Sequence, residues 1–259
     1  THPVERVRFM TEHLPQSLQQ ASTVIVVSDF VRDELIHQFG DSIASKISVV
    51  LNGVSSDFMP YPASDPILQQ ALSQRGLHYK QFLLSVGTLE PRKNLSTLLH
   101  AYVALPATLK AQYPLVIVGP SGWHTAAFEK LLHRYRHEHI HLLGYVDQKE
   151  LPLITAAAAG LIYPSFYEGF GLPVAEAMAC GTPVIAANAS ALPQVLADCG
   201  QLIAPDDVKG FTSAIEKLIE DRNFSQSCTE RGLKRAEALS WNRAAGDIRE
   251  IYRALIKKT

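Results

Sequence analysis

The chain has 259 residues, of which 47% are hydrophobic and 19% are charged, so it can build a packed core and is not a disordered protein. Its formal net charge of -1 argues against a protein that holds nucleic acid mainly by charge. Three cysteines without metal-ligand spacing, no N-terminal signal-peptide pattern and no apolar run of about 18 residues predict a cytosolic protein of one or two domains.

Short β-rich runs alternate with longer helical stretches along the chain. The predicted strands are 24–28, 47–51, 82–86, 115–118, 140–143, 161–164, 183–186 and 201–204. The predicted helices in the larger part of the chain are 95–105, 125–136, 148–158, 173–179, 208–222, 224–239 and 241–258. Most strand runs are continuously apolar, which is typical of parallel strands covered on both faces. The alternation predicts an α/β fold with a doubly wound parallel sheet.

A proline-rich stretch separates the first part of the chain from the rest. Met59-Pro-Tyr-Pro62 is followed by Pro66, and together they interrupt the alternation. Before this stretch the pattern predicts only two strands and two helices, and two strands bury too little surface to be stable alone. Residues 1–54 therefore either extend the main sheet or form the tail of a domain that this chain lacks.

The most informative motif is S-F-Y-E-G-F-G-L-P-V-A-E-A-M-A-C-G-T-P, residues 165–183. It follows a predicted buried strand, and Pro173 marks the start of a helix. Ligands of open α/β sheets bind at such strand-to-helix junctions, where free N–H groups favour phosphate. Gly169 and Gly171 allow the backbone to approach a ligand, and Glu168 and Glu176 can accept hydrogen bonds from sugar hydroxyls. The alternative is a helix start with acidic residues and no ligand.

A second motif, G-T-L-E-P-R-K-N, occupies residues 87–94 at another strand-to-helix junction. Arg92 can grip two phosphate oxygens and Lys93 can act as a point charge, so the pair is suited to a diphosphate. A solvated turn is the alternative for this motif taken alone. Together, the two junctions and the two carboxylates indicate a site for a nucleoside diphosphate attached to a sugar.

Other motifs carry less weight. His137-Glu-His-Ile-His141 matches the zinc-protease pattern H-E-x-x-H, but the predicted helix ends before it, so the two histidines do not share a helical face. No Asp-x-Asp triplet is present to bind a metal, and neither a Walker A loop nor G-x-G-x-x-G occurs. The sequence therefore predicts no metal site, and ATPase or NAD-dehydrogenase functions have no motif to support them.

The two motifs, with L-L-G-Y-V at residues 142–146, resemble the retaining GT-B glycosyltransferases of family four (group one), and mannosyltransferases among them. The resemblance implies that Arg92, Lys93 and Glu168 form the catalytic set, with the cations on the donor diphosphate and Glu168 at the transferred sugar. The donor-binding residues that it implies are Gly87, Thr88, Val146, Gly169, Phe170, Gly171, Leu172 and Glu176. Glu176 would bind the ribose and Val146 the base edge. Many members have an arginine where this chain has Thr88, which leaves open whether Arg92 supplies that charge.

The same resemblance implies a Rossmann-like donor domain with the remnant of an N-terminal domain. Residues 1–57 would end the N-terminal, acceptor-binding domain, residues 58–80 would be a linker, residues 81–240 would bind the nucleotide sugar, and residues 241–259 would form the C-terminal crossing helix. The chain would thus be the donor-binding half of an enzyme whose acceptor-binding domain is missing here. It would be cytoplasmic and, if membrane-associated, peripheral to the inner face of the membrane.

The implied reaction is transfer of a hexose, mannose in the favoured interpretation, from a nucleotide sugar such as GDP-mannose to a glycan or lipid-linked acceptor. No metal or other cofactor and no nucleic acid is expected to take part. Two alternatives remain: a non-catalytic nucleotide-sugar-binding module, and a different GT-B enzyme such as a sugar-nucleotide epimerase or a phosphorylase. The spacing of the paired glutamates argues against the epimerase.

Overall fold

A computed structural model of the chain describes residues 4–122 and 126–257. The α-helices are α1 Val4–Gln20, α2 Asp29–Phe39, α3 Pro66–Ser73, α4 Leu95–Val103, α5 Ala107–Gln112, α6 Ala126–Arg134, α7 Leu151–Ala157, α8 Leu172–Ala179, α9 Leu192–Leu196, α10 Val208–Glu220, α11 Arg222–Glu237 and α12 Trp241–Ile256. The strands are β1 Val24–Val26, β2 Ile47–Val49, β3 Leu83–Val86, β4 Leu115–Val118, β5 Ile140–Gly144, β6 Gly160–Tyr163, β7 Val184–Ala187 and β8 Gln201–Ile203. Short 3-10 turns occupy Asp41–Lys46 and Pro91–Lys93.

The chain divides into two compact units. The smaller unit combines Thr1–Gly53 with Leu239–Thr259, and the larger unit is Val54–Ala238. In the smaller unit, β1 and β2 pair in parallel. The backbone at the start of α12 lies against the backbone of Gly53, which ends the first segment of this unit. A β-carbon on Gly53 would lie only 2.1 Å from the backbone nitrogen of Trp241, so this close approach requires glycine.

The larger unit contains a six-stranded sheet in the order β5-β4-β3-β6-β7-β8, and every pair of neighbours is parallel. In chain order this is 3-2-1-4-5-6, the order of the Rossmann-like doubly wound sheet. The predicted fold class is therefore confirmed. The strand order reverses between β3 and β6, where Leu83 lies opposite Gly160. A crevice opens at such a reversal, beyond the carboxyl ends of the strands.

Burial on both faces explains why the strands are continuously apolar. Leu84, Val116, Ile162 and Ile185 stand in four neighbouring strands and are all 0% exposed. Helix α4 packs with α6 and α10, whereas α8 packs with α7, α9 and α11. Right-handed crossovers on either side of the reversal place these two groups of helices on opposite faces of the sheet. Each buried aliphatic side chain contributes about 1.5–3 kcal/mol to stability.

Three short helices, α3, α5 and α9, are not predicted by the sequence pattern. Helix α3 lies in the segment 58–80 for which a linker is predicted. Its prolines suggested an interruption, but Pro66 stands in the first turn, where proline is favoured, and the Asp65 carboxylate accepts hydrogen bonds from the Ile67 and Leu68 N–H groups at 2.9 Å. The division of the chain into an acceptor-domain remnant, linker and donor domain stays a prediction.

The H-E-x-x-H motif does not lie on one helix. Helix α6 ends at Arg134 and β5 begins at Ile140, so His137 falls between them and His141 is in the strand. Within the described residues, no group of three or more metal-ligating side chains comes together. Among the same residues, no helix combines the length and the apolar character that a membrane crossing requires.

We predict that Gly119→Ala destabilises the larger unit by more than about 3 kcal/mol, because the new side chain has no room. Gly119 follows β4 directly, with φ +150°, and a β-carbon there would lie 2.1 Å from the carbonyl oxygen of Gly87, which follows β3 directly. Urea unfolding followed by circular dichroism measures the change.

Gly232→Ala in α11 is the matched control for this substitution. Its β-carbon would lie 3.4 Å from Met178 Cγ, an ordinary contact, and alanine favours the helix. We expect the control to change the free energy of unfolding by less than about 1 kcal/mol. Equal stabilities of the two variants would contradict the steric argument.

Candidate active site

Two loops meet at the reversal of strand order. One runs from β3 through the 3-10 turn Pro91–Lys93 into α4, and the other runs from β6 into α8. Asn94 joins them: its side-chain amide donates to the carbonyl oxygen of Pro164 at 3.1 Å and to that of Pro205 at 2.7 Å. Asn94 itself is left-handed, with φ 53°, a conformation that asparagine tolerates better than most residues. The loop carrying Arg92 and Lys93 is thereby fixed to its neighbour.

The Glu168 carboxylate is the centre of a buried polar cluster. Its Oε1 accepts from Lys93 Nζ at 2.8 Å, from the Tyr163 hydroxyl at 2.9 Å and from Ser165 Oγ at 2.7 Å. Lys93 Nζ also donates to the Tyr163 hydroxyl at 2.6 Å. The Lys93 and Glu168 side chains are each 11% exposed. Since a carboxylate oxygen has room for few donors, Oε1 is saturated by the protein itself.

Arg92 completes the cluster from the other side. Its NH1 group contacts Glu168 Oε2 at 2.9 Å and donates to the carbonyl oxygen of Tyr167 at 2.5 Å, and its NH2 group contacts Glu90 Oε1 at 2.5 Å. The Glu90 side chain is only 5% exposed. These bonds use three of the five guanidinium N–H donors, and Lys93 uses two of its three. Both cations are held in place and keep donors for another partner.

The protonation states follow from burial and from these contacts. Burial opposes ionisation of Glu168, but Lys93, Ser165 and Arg92 stabilise its carboxylate, and its pKa stays below the ordinary value. Burial and the neighbouring Glu168 charge raise the pKa of Tyr163 well above its ordinary value, so the phenol remains a donor. The cluster holds two cations, Arg92 and Lys93, and two carboxylates, Glu90 and Glu168.

The start of α8 supplies main-chain donors. Gly171 caps the helix in a left-handed conformation with φ 102°, and a β-carbon there would lie 2.6 Å from Leu192 Cδ2. Within the described residues, the N–H groups of Phe170, Gly171 and Leu172 donate to no acceptor. Free N–H groups and the positive end of the helix dipole favour an anion here.

Glu176 lies one turn into α8 and differs from Glu168 in its surroundings. Burial raises the pKa of its carboxyl to about 7. No donor within the described residues bonds its carboxylate, so nothing offsets the cost of removing the charge from water. At neutral pH this carboxyl is therefore close to half ionised and has free acceptor capacity.

The remaining predicted residues lie in these loops or further along the same edge. Gly87 faces the Lys93 side chain, since a β-carbon there would lie 2.9 Å from Lys93 Cε. Thr88 follows it, and its methyl group lies near Gly122.

Val146 is buried and follows β5, the outer strand, which is two positions from β3, so it stands apart from the buried cluster. In the loop before α8, Phe170 is buried and Gly169 is half-buried, and Leu172, the first residue of α8, is 36% exposed.

Four residues that hold the cluster together have no role predicted from the sequence: Glu90, Asn94, Tyr163 and Ser165. Glu90 and Asn94 stand in the quoted cation motif, and Ser165 begins the acidic motif, but none was given a role. Tyr163 is the last residue of β6. A polar group at the end of an otherwise apolar strand is the signal that could have identified it.

The sequence of the chain is similar to a protein family and to individual proteins of that kind. The family described as "Glycosyl transferases group 1" matches residues 71–235. The O-antigen chain mannosyltransferase B of Escherichia coli is 38% identical over 257 residues, which cover 98% of this chain and 66% of that protein.

Two solved structures share the fold. Sucrose-phosphate synthase from Thermosynechococcus elongatus has a TM-score of 0.80 at 26% identity and covers 98% of this chain and 63% of its own. Anabaena HepE, solved in complex with UDP and glucose, has a TM-score of 0.82 at 21% identity and covers 96% of this chain and 66% of its own. The chain thus spans less than two thirds of the length of these relatives. The family match extends over more than half of the chain, and the chain belongs to the group 1 glycosyl transferases.

Proposed function

We propose that this chain is the donor-binding half of a retaining glycosyltransferase that transfers mannose from GDP-mannose to a glycan or lipid-linked acceptor. The observation that carries the proposal is the buried cluster that holds Arg92 and Lys93 at the same edge of the sheet as the start of α8, whose first N–H groups donate to no acceptor within the described residues. The similarity to an O-antigen mannosyltransferase supports mannose as the sugar. The relative HepE, whose structure contains UDP and glucose, supports a nucleotide sugar as the donor.

The diphosphate of the donor would bind between the cations and the start of α8. Lys93 and Arg92 keep unused N–H donors that can turn to phosphate oxygens without leaving their carboxylate partners. The main-chain N–H groups of Gly171 and Leu172 would bind the same oxygens. Because these donors are fixed by the fold, little reorganisation is needed when negative charge develops on the leaving diphosphate.

The two glutamates would take different parts of the donor. Glu176 has free acceptor capacity and would bind the ribose hydroxyls. Glu168 would act by orientation and electrostatic support beside the transferred sugar. Its Oε1 is occupied by three donors, so we do not assign it as a covalent nucleophile. Val146 would contact the base from the loop after β5.

Transfer would pass through an oxocarbenium-like state as the bond between the sugar and the diphosphate breaks. The acceptor hydroxyl would attack the face from which the diphosphate leaves, which retains the anomeric configuration. Arg92, Lys93 and the helix dipole would take the place of a metal ion at the leaving group. The acceptor would be held by an N-terminal domain outside this chain, in the cytoplasm at the inner face of the membrane.

We predict that Lys93→Met weakens the binding of GDP-mannose by tenfold or more, because it removes the buried ammonium from the diphosphate site. Isothermal titration calorimetry with GDP-mannose, UDP-glucose and UDP-N-acetylglucosamine measures this and the donor preference, which we expect to favour GDP-mannose. Lys130→Met is the matched control, since Lys130 is an exposed lysine of α6.

Equal affinities of the Lys93 and Lys130 variants would contradict the diphosphate site. If no donor binds to the wild-type chain, the proposed function fails altogether. If donors bind but no transfer occurs after an acceptor-binding domain is restored, the chain is instead a non-catalytic nucleotide-sugar-binding module.

We predict a pH dependence of stability that depends on Glu176. Its pKa is raised to about 7 in the folded chain, so the folded chain holds this proton more tightly than the unfolded chain does. The contribution of the carboxyl to the free energy of unfolding is therefore complete below its unfolded pKa and is lost as the pH rises toward 7 and above. Between pH 5 and pH 8, wild type should lose up to about 3 kcal/mol relative to Glu176→Gln.

Urea unfolding across this pH range measures the difference between wild type and Glu176→Gln. The affinity of wild type for GDP-mannose, whose diphosphate does not titrate in this range, should also rise through pH 7, because only the ionised carboxylate accepts both ribose hydroxyls, while that of the Gln variant should stay flat. A constant stability difference between the two proteins from pH 5 to pH 8 would show that Glu176 is not desolvated.

A further inference from the structure

A cavity lies at the edge of the six-stranded sheet opposite the buried cluster of Arg92, Lys93 and Glu168. Its volume is about 480 Å³, large enough for a small organic molecule. Lys80, Tyr113, Ala159 and Pro183 line it and stand just before β3, β4, β6 and β7, respectively. The strands are parallel, so these positions share the amino edge, roughly 20 Å of strand from the carboxyl edge. The cavity is therefore separate from the proposed donor site.

Lys80 is a half-buried lysine on the wall of this cavity that has no carboxylate partner within the described residues. Its backbone is left-handed, with φ 57°, and is fixed by a hydrogen bond from its N–H to the carbonyl oxygen of Ala157 at 2.7 Å. Its Nζ donates to the carbonyl oxygen of Ala158 at 2.9 Å and contacts Thr182 Oγ1 at 3.5 Å. One ammonium N–H therefore remains for a ligand. Burial lowers the pKa of Lys80 to about 8, so the ammonium is still mostly charged at neutral pH, and a bound anion would raise this pKa.

A second cation, at the start of α11, also lines the cavity. Arg222 is the first residue of this helix and is exposed, and within the described residues no carboxylate pairs with it. The neighbouring Asp221 is occupied as the helix cap, since its carboxylate accepts from the N–H of Phe224 at 2.9 Å. Ser225 lines the cavity one turn further along and adds a hydroxyl donor. The lining thus contains two cations and no carboxylate.

Tyrosine rings form a further part of the cavity wall. The Tyr79 hydroxyl donates to the carbonyl oxygen of Tyr61 at 3.1 Å, which fixes the ring of Tyr79 beside the loop carrying Tyr61. The Lys80 ammonium lies 5.7 Å from the centre of the Tyr79 ring. Tyr113 also lines the cavity. These rings offer flat apolar surface next to the cations, which suits a small molecule that carries a ring and an anionic group.

We propose that this cavity is a second binding site, which takes a small organic monophosphate with its phosphate between Lys80 and Arg222 and its ring against the tyrosines. A monophosphate matches the two positive charges better than a carboxylate does, because it carries nearly two negative charges at neutral pH. Its oxygens can also accept from the Ser225 hydroxyl.

Calorimetry with phenyl phosphate in the presence of excess GDP tests the site on the full chain. We expect one phenyl phosphate to bind per chain, about tenfold more tightly than inorganic phosphate, which lacks the ring, and phenol, which lacks the charge, not to bind measurably. Arg222→Gln and Lys80→Met should each weaken the binding of phenyl phosphate by about tenfold. Lys209 is an exposed lysine at the start of α10, away from Arg222, and Lys209→Met should bind phenyl phosphate as wild type does.

Three results would overturn the proposal: no binding of phenyl phosphate, its displacement by GDP, or wild-type affinity in both cavity variants. Lys80→Met removes a half-buried group and could fail to fold, which circular dichroism would detect. The exposed Arg222→Gln variant then decides the outcome by itself. GDP binding to the crevice is measured separately, without phenyl phosphate, so failure of the cavity site leaves the proposed donor site untouched.

Discussion

The ion pair between Lys93 and Glu168 is the interaction on which the site depends. The two side chains come from loops that follow β3 and β6, and both are removed from water. Burying two charges is costly unless each finds close partners. Here Tyr163, Ser165 and Arg92 provide them. Separation of the loops would leave a charge buried without its partner, so the pair holds the two loops in one arrangement.

The sheet topology makes this pair possible. Only the reversal of strand order brings the carboxyl ends of β3 and β6 together, although about 75 residues of chain separate them. Glycines keep this edge compact, because Gly119 lies against the carbonyl of Gly87 and Gly87 lies against the Lys93 side chain. The carboxylates fix both cations and leave some of their N–H donors unused. The fold thereby sets the geometry that a diphosphate would meet, before any ligand contributes.

The sequence pattern was sufficient to predict the strands of the sheet, but it predicted fewer of the side-chain contacts at the site. Apolar runs, most of them continuous, predict the strands, because strands covered on both faces leave little room for polar residues. The two motifs marked Arg92, Lys93 and Glu168, which the fold brings together. Glu90 was not assigned a role, because its bond to Arg92 arises from a turn whose shape the sequence pattern does not specify. Tyr163 was counted only as a strand residue, since which neighbour faces its hydroxyl depends on packing between distant segments.

A double-mutant cycle on Lys93 and Glu168 tests the central claim most directly. The free energy of unfolding would be measured for wild type, Lys93→Met, Glu168→Gln and the double variant. If the pair holds the loops together, each single change leaves a buried charge without its partner, and the double variant should be more stable than the sum of the single effects predicts by at least about 1 kcal/mol. Additivity within about 0.5 kcal/mol would contradict this account and would mean that the two charges act independently.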